Sequence, residues 1–340
     1  MKRKGLSPVP IAGALVTLIL VITSGVFYWR KREHKILSFA AERKSEIVFL
    51  STGDLMLGRS VNFKGWQKKD FSWSLEKVRP WLQKFDRVIV NLENPLVKDC
   101  PLTNEGMIFC ADGAAAAALA SSGVDIATLA NNHTLNYGSA GLAQTVDFLR
   151  AASVSAVTSD TFLQQKIDQT TFGFLAFDEV SKNLDADEIA PLVAEKSAQV
   201  DVLIVALHFG SEYRYQPAAK QKQLAQTLID SGAKIVLGNH SHWLGPIELY
   251  HDGVIVYSHG NFVFDQMWSN ETRTGMAIAW NFEDNNLQEI MVYPIWITDY
   301  GLANLATGKQ AENILQTVQN ISGDLGEIAN EQLIIKLPRQ

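Results

Sequence analysis

Short apolar runs in this chain are followed, one after another, by residues that can bind metal ions. Ile47-Val48-Phe49-Leu50 leads into Gly53-Asp54, and Arg87-Val88-Ile89-Val90 leads into Asn91-Leu92-Glu93. Ile126-Ala127-Thr128-Leu129 precedes Asn131-Asn132-His133, and Val202-Leu203-Ile204-Val205 precedes His208. Lys234-Ile235-Val236-Leu237 precedes His240-Ser241-His242, and Val254-Ile255-Val256-Tyr257 precedes His259-Gly260-Asn261. Carboxylates, amides and imidazoles together suit borderline divalent cations such as zinc, manganese or iron.

Each fragment also has a plainer reading. Gly-Asp after a strand is a common turn or helix N-cap. Asn91 and Glu93 could cap the next segment, and a lone histidine such as His208 often sits hydrogen-bonded in a core. His240 and His242 carry more weight, because alternate positions of an extended chain point the same way. Arg59 could clamp a carboxylate or phosphate, or form a surface salt bridge. Glu212 and Tyr213 could position a substrate. Asn91 and Asn261 are further candidate contacts, and His259 could donate, ligate or simply pack.

The elements that must position these groups alternate. Between the β-like runs lie helical patterns at 75–84, 113–121, 139–151 and 218–231. Strands alternating with helices predict an α/β fold with a largely parallel core sheet. Ligands of such sheets gather beyond the carboxyl ends of the strands. Further strands are expected over 277–297, then a helix, a turn and a last strand at 332–337.

In order along the chain, these blocks resemble the bacterial capsule-synthesis (CapA, poly-gamma-glutamate) family. Ser51-Thr52-Gly53-Asp54-Leu55-Met56-Leu57-Gly58-Arg59 is similar to its opening motif. Val90-Asn91-Leu92-Glu93-Asn94-Pro95 and Leu129-Ala130-Asn131-Asn132-His133 resemble the next two blocks. His208-Phe209-Gly210-Ser211-Glu212-Tyr213, Gly238-Asn239-His240-Ser241-His242 and the stretch Tyr257-Ser258-His259-Gly260-Asn261-Phe262-Val263-Phe264-Asp265 resemble the rest. The resemblance implies a calcineurin-like metallophosphatase fold, sheets flanked by helices, and a role in envelope polymer synthesis. By the same resemblance, Asp54 and His242 would bind one divalent metal and Glu93 would bridge to a second. Asn132, His208 and His240 would complete that second site, and His133 would be the catalytic or substrate-contacting group. One or two ions of manganese, iron or zinc are implied. Phosphoesterases carry histidine where this chain has Met56, and aspartate where it has Glu93. Relative to the family, Asn136 replaces an aspartate, Asn239 and Ser241 replace a common histidine and proline, and His259 replaces a leucine.

Outside these blocks, residues 8–29 are apolar and uncharged, long enough to cross a bilayer as a helix. The expected organisation is an anchor over 1–30, a charged linker over 31–45 and one domain over 46–340. Basic residues flank the apolar segment on both sides, so the positive-inside rule does not orient it. Cys100 and Cys110 bracket a short polar loop, a spacing compatible with a disulfide, with two unrelated free thiols as the alternative. A disulfide would place the domain outside the cytoplasm. The expected location is therefore the cell membrane, single-pass, with the domain extracytoplasmic. A net charge of -6 gives no global basic field for nucleic acid. Two readings follow: a metal-dependent hydrolase or transferase acting on an envelope polymer such as poly-gamma-glutamate or its precursor, and a non-catalytic polymer-binding subunit serving membrane synthase subunits.

Overall fold

The computed structural model of the protein describes residues 46–283 and 285–338. The expected anchor and linker lie outside these residues. Among the described residues, no helix is long and apolar enough to cross a membrane.

In chain order the elements begin with β1 (Glu46–Leu55), α1 (Arg59–Lys68), α2 (Arg79–Leu82), β2 (Arg87–Leu92), β3 (Leu96–Val97), β4 (Ala111–Asp112), α3 (Ala115–Ser121), β5 (Ile126–Thr128), α4 (Gly138–Ala151) and β6 (Ser155–Val157). There follow β7 (Leu163–Ile167), β8 (Thr170–Asp178), α5 (Glu179–Lys182), α6 (Ala186–Ser197), β9 (Val202–His208), α7 (Ala219–Asp230), β10 (Ile235–Asn239), β11 (Ile247–Tyr250), β12 (Gly253–Val256) and β13 (Asn261–Val263). The chain continues with β14 (Thr274–Glu283), β15 (Asn286–Thr298), β16 (Leu302–Leu305), α8 (Gly308–Ile321), β17 (Glu327–Ala329) and β18 (Gln332–Lys336).

The sheets flanked by helices that the resemblance implied are present, but the largely parallel core sheet is divided between two large mixed sheets, with a two-stranded pair β3-β4 beside them. A ten-stranded sheet runs β17-β18-β15-β14-β1-β2-β5-β6, with β13 and β16 pairing off that path. A six-stranded sheet runs β11-β12-β10-β9-β8-β7. The strands alternate between two buried faces, which is why they read as continuous apolar runs. In β9, Val202, Ile204 and Ala206 face the core shared by the two sheets, while Leu203, Val205 and Leu207 pack under α6 and α7. In β2, Ile89 faces the shared core, while Val88, Val90 and Leu92 pack on the helical side with α3 and α4. The result is a mixed α/β fold in which α3, α4, α6 and α7 cover the outer faces of the two large sheets, while α8 packs through Ala311, Ile314, Leu315 and Val318 into the core they share. The expected helix over 75–84 is broken into a 3-10 turn, Trp73–Leu75, and the short α2.

β1 contains the irregularity that matters most for the site. Ser51 pairs with Ile89 and Asp54 with Asn91, so three steps along β1 oppose two along β2. This is a bulge, and it reverses which face each later side chain occupies. Phe49 faces the shared core and Leu50 the helical side, but beyond the bulge it is odd-numbered Leu55 that faces the helical side. Asp54 is thereby aimed between the sheets. Gly53 sits in the bulge, where an added Cβ would lie 2.1 Å from the Gly260 carbonyl oxygen, so any larger residue would force the strands apart.

Candidate metal centre between the two sheets

The same alternation brings the site together. His208 is the next inward position after Ala206 on β9. Asn91 and Glu93 are the next inward positions after Ile89. The turn after β10 supplies His240 and His242, both with left-handed backbone, at φ 100° and 57°. Such conformations are strained in non-glycine residues and persist only where the surroundings enforce them.

Asp54, Glu93 and His242 form a compact buried group whose ligand atoms all lie within 4.8 Å of one another. His242 Nδ1 lies 3.1 Å from Asp54 Oδ2 and 3.0 Å from Asn261 Oδ1. Both partners accept, so Nδ1 carries a proton and Nε2 is the nitrogen turned toward Glu93. Nε2 is 3.8 Å from Glu93 Oε1, a separation that two donors about 2 Å from one ion can span. A second group adjoins the first. His208 Nε2 is 2.9 Å from Asn132 Oδ1, and the rings of His208 and His240 have centroids 4.8 Å apart. The His240 amide donates to Asp54 Oδ2 at 3.3 Å, joining the two groups. The six residues expected as ligands therefore adjoin one another, and Asp54, Glu93 and His242 form the group whose ligand atoms lie close enough to share an ion.

Glu93 tests whether this set fits a cation. It is fully buried, and among the described residues neither carboxylate oxygen has a hydrogen-bond donor. A buried carboxylate without partners is costly, and proteins normally pair it or use it to coordinate a metal. Burial, reinforced by the charge of Asp54, pushes its carboxyl well above the usual range. Burial also opposes charge on Asp54, but the hydrogen bond and charge of His242, with His208 and Asn91, outweigh it and hold Asp54 at about 2. Burial pushes His208 well below the usual imidazole range and lowers His240 as well. The neutral imidazoles of His208 and His240 and an ionised Asp54 are forms that bind metal, and among the described residues His240 Nδ1 is a further buried nitrogen without a partner. The donor set fits a borderline divalent ion.

His133 lies at the edge of this cluster, Nε2 3.9 Å from Glu93 Oε1. Its Nδ1 is 3.1 Å from Asn136 Oδ1, the oxygen that also accepts the Phe109 amide. Nδ1 therefore carries the proton, and the lone pair sits on Nε2. Burial pushes His133 down to about 4, only partly offset by Asn136. Asn136, which stands where the family resemblance leads one to expect aspartate, thus serves His133 rather than a ligand histidine.

Two of the expected substrate contacts sit elsewhere. Asn91 is buried, and its amide is committed to Asp54 at 2.9 Å and His208 at 3.3 Å, while its carbonyl accepts from Asn131 at 3.1 Å. Asn261 is buried between His242, Gln266 and the Thr272 carbonyl. Both are buried and hydrogen-bonded to side chains of the cluster, Asn91 to Asp54 and His208 and Asn261 to His242, which places them behind it rather than facing a substrate. Arg59 forms an ion pair with Asp265, donates to the Gly106 carbonyl and lies over the Phe109 ring. Glu212 is half-buried beside Tyr213, whose hydroxyl is pushed up to about 12 by burial and by Glu212. His259 packs: its Nδ1 meets the Gly238 carbonyl and its Nε2 meets Ser51 Oγ, which accepts from Trp280. Sequence reasoning gave no role to Asn131, Asp265 or Phe109. Asn131 stood in a quoted block, but only its contact with Asn91 reveals what it does.

The protein is an α/β protein with a buried carboxylate and histidine cluster between its sheets. It belongs to the family described as bacterial capsule synthesis protein PGA_cap, whose family model matches residues 48–159 and 155–266. The chain is 30% identical to the PGA biosynthesis protein CapA of Bacillus subtilis (strain 168), over 72% of this chain and 70% of that one. It is 24% identical to the capsule biosynthesis protein CapA of Bacillus anthracis, over 99% of this chain and 88% of that one. Among solved structures, a hypothetical protein from Thermus thermophilus superposes with a TM-score of 0.51 at 16% identity, over 73% of this chain and 98% of that one. This last likeness shows a shared fold. Cys100 and Cys110 form a disulfide, with Cα atoms 5.9 Å apart.

Proposed function

We propose that this protein is a metal-dependent hydrolase or transferase of capsule polymer synthesis, acting on an anionic polymer of the poly-gamma-glutamate type or on its precursor. The scaffold is read as calcineurin-like. Asp54 and His242 would hold one divalent ion, Asn132, His208 and His240 a second, and Glu93 would lie between them. The observation that carries the reading is the buried Glu93 carboxylate, which no donor among the described residues meets. Manganese, iron or zinc bound there would polarise a substrate oxygen and lower the pKa of a bound water.

The residues of the chain set the rest. Arg59 is already neutralised by Asp265, so bound ions would supply the positive charge that an anionic polymer needs in a protein of net charge -6. His133 is neutral at pH 7, with its lone pair on Nε2 facing the cluster, so it can accept a proton or a hydrogen bond from a ligand seated there. Glu212 and Tyr213 are placed to bound the same space.

A non-catalytic, polymer-binding subunit is the second reading, and Met56 favours it. Where phosphoesterases carry a histidine, this chain has a buried thioether whose sulfur accepts from the Gly58 amide at 3.0 Å. The first ion would therefore have one imidazole fewer. Metal analysis of the purified protein, followed by turnover assays on poly-gamma-glutamate, tests both readings. Bound metal with turnover supports the enzyme. Metal-dependent polymer binding without turnover supports the subunit, and no metal at micromolar concentration overturns the site.

Residues 1–30 are proposed as a single membrane anchor, 31–45 as its linker, and the domain from 46 onward as extracytoplasmic. The Cys100–Cys110 disulfide supports that side of the membrane. Reporter fusions after residue 46 that are active only in the cytoplasm would overturn it.

A further inference from the structure

The loop closed by Cys100 and Cys110 reaches the site from outside the strand-end blocks. Phe109, next to Cys110, is buried, and its ring lies against that of His133 with centroids 4.1 Å apart and planes 30° apart. Its backbone amide donates to Asn136 Oδ1 at 2.7 Å, the atom that holds His133 Nδ1. One residue therefore fixes the imidazole twice, through its ring and through the amide that orients Asn136.

The loop is itself clasped by α1. Arg59 donates to the Gly106 carbonyl and stacks over Phe109 at 4.6 Å. Three residues on, Asn62 reaches Cys100 Sγ with its amide nitrogen at 3.7 Å and accepts the Asp112 amide with its oxygen at 2.9 Å. Gly58 leaves room for the close approach, since a Cβ there would lie 2.8 Å from the Cys110 carbonyl oxygen. The intervening tip is otherwise exposed, Met107 at 64% and Ile108 at 65%. Phe109 packs at the base of the loop with Met56, Phe264 and Ile297, the Glu105 amide donates to Thr103 Oγ1 within the tip, and the disulfide and the α1 contacts tie the loop down on either side.

We infer that Phe109 is a positioning residue for His133, and that the Cys100–Cys110 disulfide is what keeps it in place. The inference rests on the reading of His133 as the ligand-facing group of the site. Of the proposed metal ligands only Asn132, on the turn after β5, adjoins His133; the others stand at the ends of β1, β2 and β9 and on the turn after β10. Loosening the loop should therefore free His133 while leaving the cation site formed.

Full-length protein in detergent, labelled with 13C at its histidine rings, tests this. His133→Gln identifies the His133 signal among the seven histidines. In metal-free, oxidised protein the His133 ring protons should be shifted upfield by the adjacent Phe109 ring. Phe109→Leu should abolish that shift. Reduction of the folded protein by a phosphine should abolish or broaden it, with two thiols titrating and the circular dichroism spectrum unchanged. Cys100→Ser/Cys110→Ser should behave as the reduced protein does, and reduction in place decides the matter if that variant does not fold. A His133 signal unchanged after complete reduction overturns the role of the disulfide, and one unchanged in Phe109→Leu overturns the role of the ring. Manganese titration of the same samples separates this inference from the metal reading. Affinity within twofold of wild type in Phe109→Leu is expected, and a tenfold loss would mean the loop supports the cation site rather than His133 alone. No manganese binding to oxidised wild type would sink the metal reading and leave the ring signals to decide this one.

Discussion

Asn91 stands opposite Asp54 in the parallel pairing of β1 with β2, and its side-chain amide donates to Asp54 Oδ1 across 2.9 Å. The same nitrogen lies 3.3 Å from His208 Nδ1, so one NH2 group restrains a ligand from each sheet. Partners of this kind usually contribute about 10–100-fold to metal affinity. Asn91→Ala should weaken manganese binding by that factor while the fold persists, as read by titration calorimetry and circular dichroism. Equal affinity in variant and wild type would remove Asn91 from the site.

Glu93 should give the metal-free protein a distinctive pH dependence. Its carboxyl is raised in the folded state by burial and by Asp54. Between the ordinary pKa near 4.5 and the raised value, the folded protein holds a proton that the unfolded chain has released. Its contribution to stability is therefore full below that window and is lost as pH rises through it. Glu93→Gln should remove this loss, so in chelator the variant should be the more stable protein at pH 8. It should also bind metal far more weakly. Urea denaturation across pH reads the first effect, and a wild type no less stable at pH 8 than Glu93→Gln would contradict it.

His208 and His133 should separate by phenotype. His208→Ala removes a proposed ligand, and should lower metal content at least about tenfold without unfolding the domain, since Val202, Ile204 and Ala206 still anchor β9 in the shared core. His133→Ala should keep the metal and impair polymer turnover, by roughly 100- to 10,000-fold if it moves a proton. Elemental analysis beside the activity assay distinguishes them. Matching loss of metal in both variants would merge the two roles.

The Arg59 and Asp265 pair is buried, with side chains 11% and 5% exposed. Removing one partner strands the other, at a typical cost of about 3–5 kcal/mol. Asp265→Ala should lose that much stability, and Arg59→Met/Asp265→Leu should lose less than the sum of the single changes. Additive losses would mean the two charges do not interact.

Much of the site was legible because its residues obey the period of the strands. His208 follows Val202, Ile204 and Ala206 at alternate positions, and Asn91 and Glu93 follow Ile89 in the same way, so the inward face could be read directly. Asp54 could not be assigned so, because the bulge at Gly53 changes the face and no periodicity foretells an inserted residue. The resemblance implied more than one sheet, but which strand belongs to which sheet was hidden. A run such as Val236 between Ile235 and Leu237 is apolar on both faces whichever partner covers it, and pairing partners far apart in sequence leave no local mark. Asn91 and Asn261 were misplaced as substrate contacts for a related reason: an amide reads the same whether it faces a ligand or supports one. Asp265 and Phe109 stood outside the set of expected ligands, so only their neighbours in space give them meaning.

Because Asp54, Glu93 and Asn132 extend from the ten-stranded sheet while His208, His240 and His242 extend from the six-stranded one, the seam between the halves of the domain passes through the candidate centre. An ion seated there would act as a rivet. It would add about 2.7 kcal/mol to stability at a hundredfold excess over its dissociation constant, and that increment would be felt by both sheets at once. Chelation should then raise hydrogen exchange along β1 and β9 in parallel, strands that lie in different sheets and share no backbone pairing. The metal would be a joint of the architecture as well as a reagent of the site.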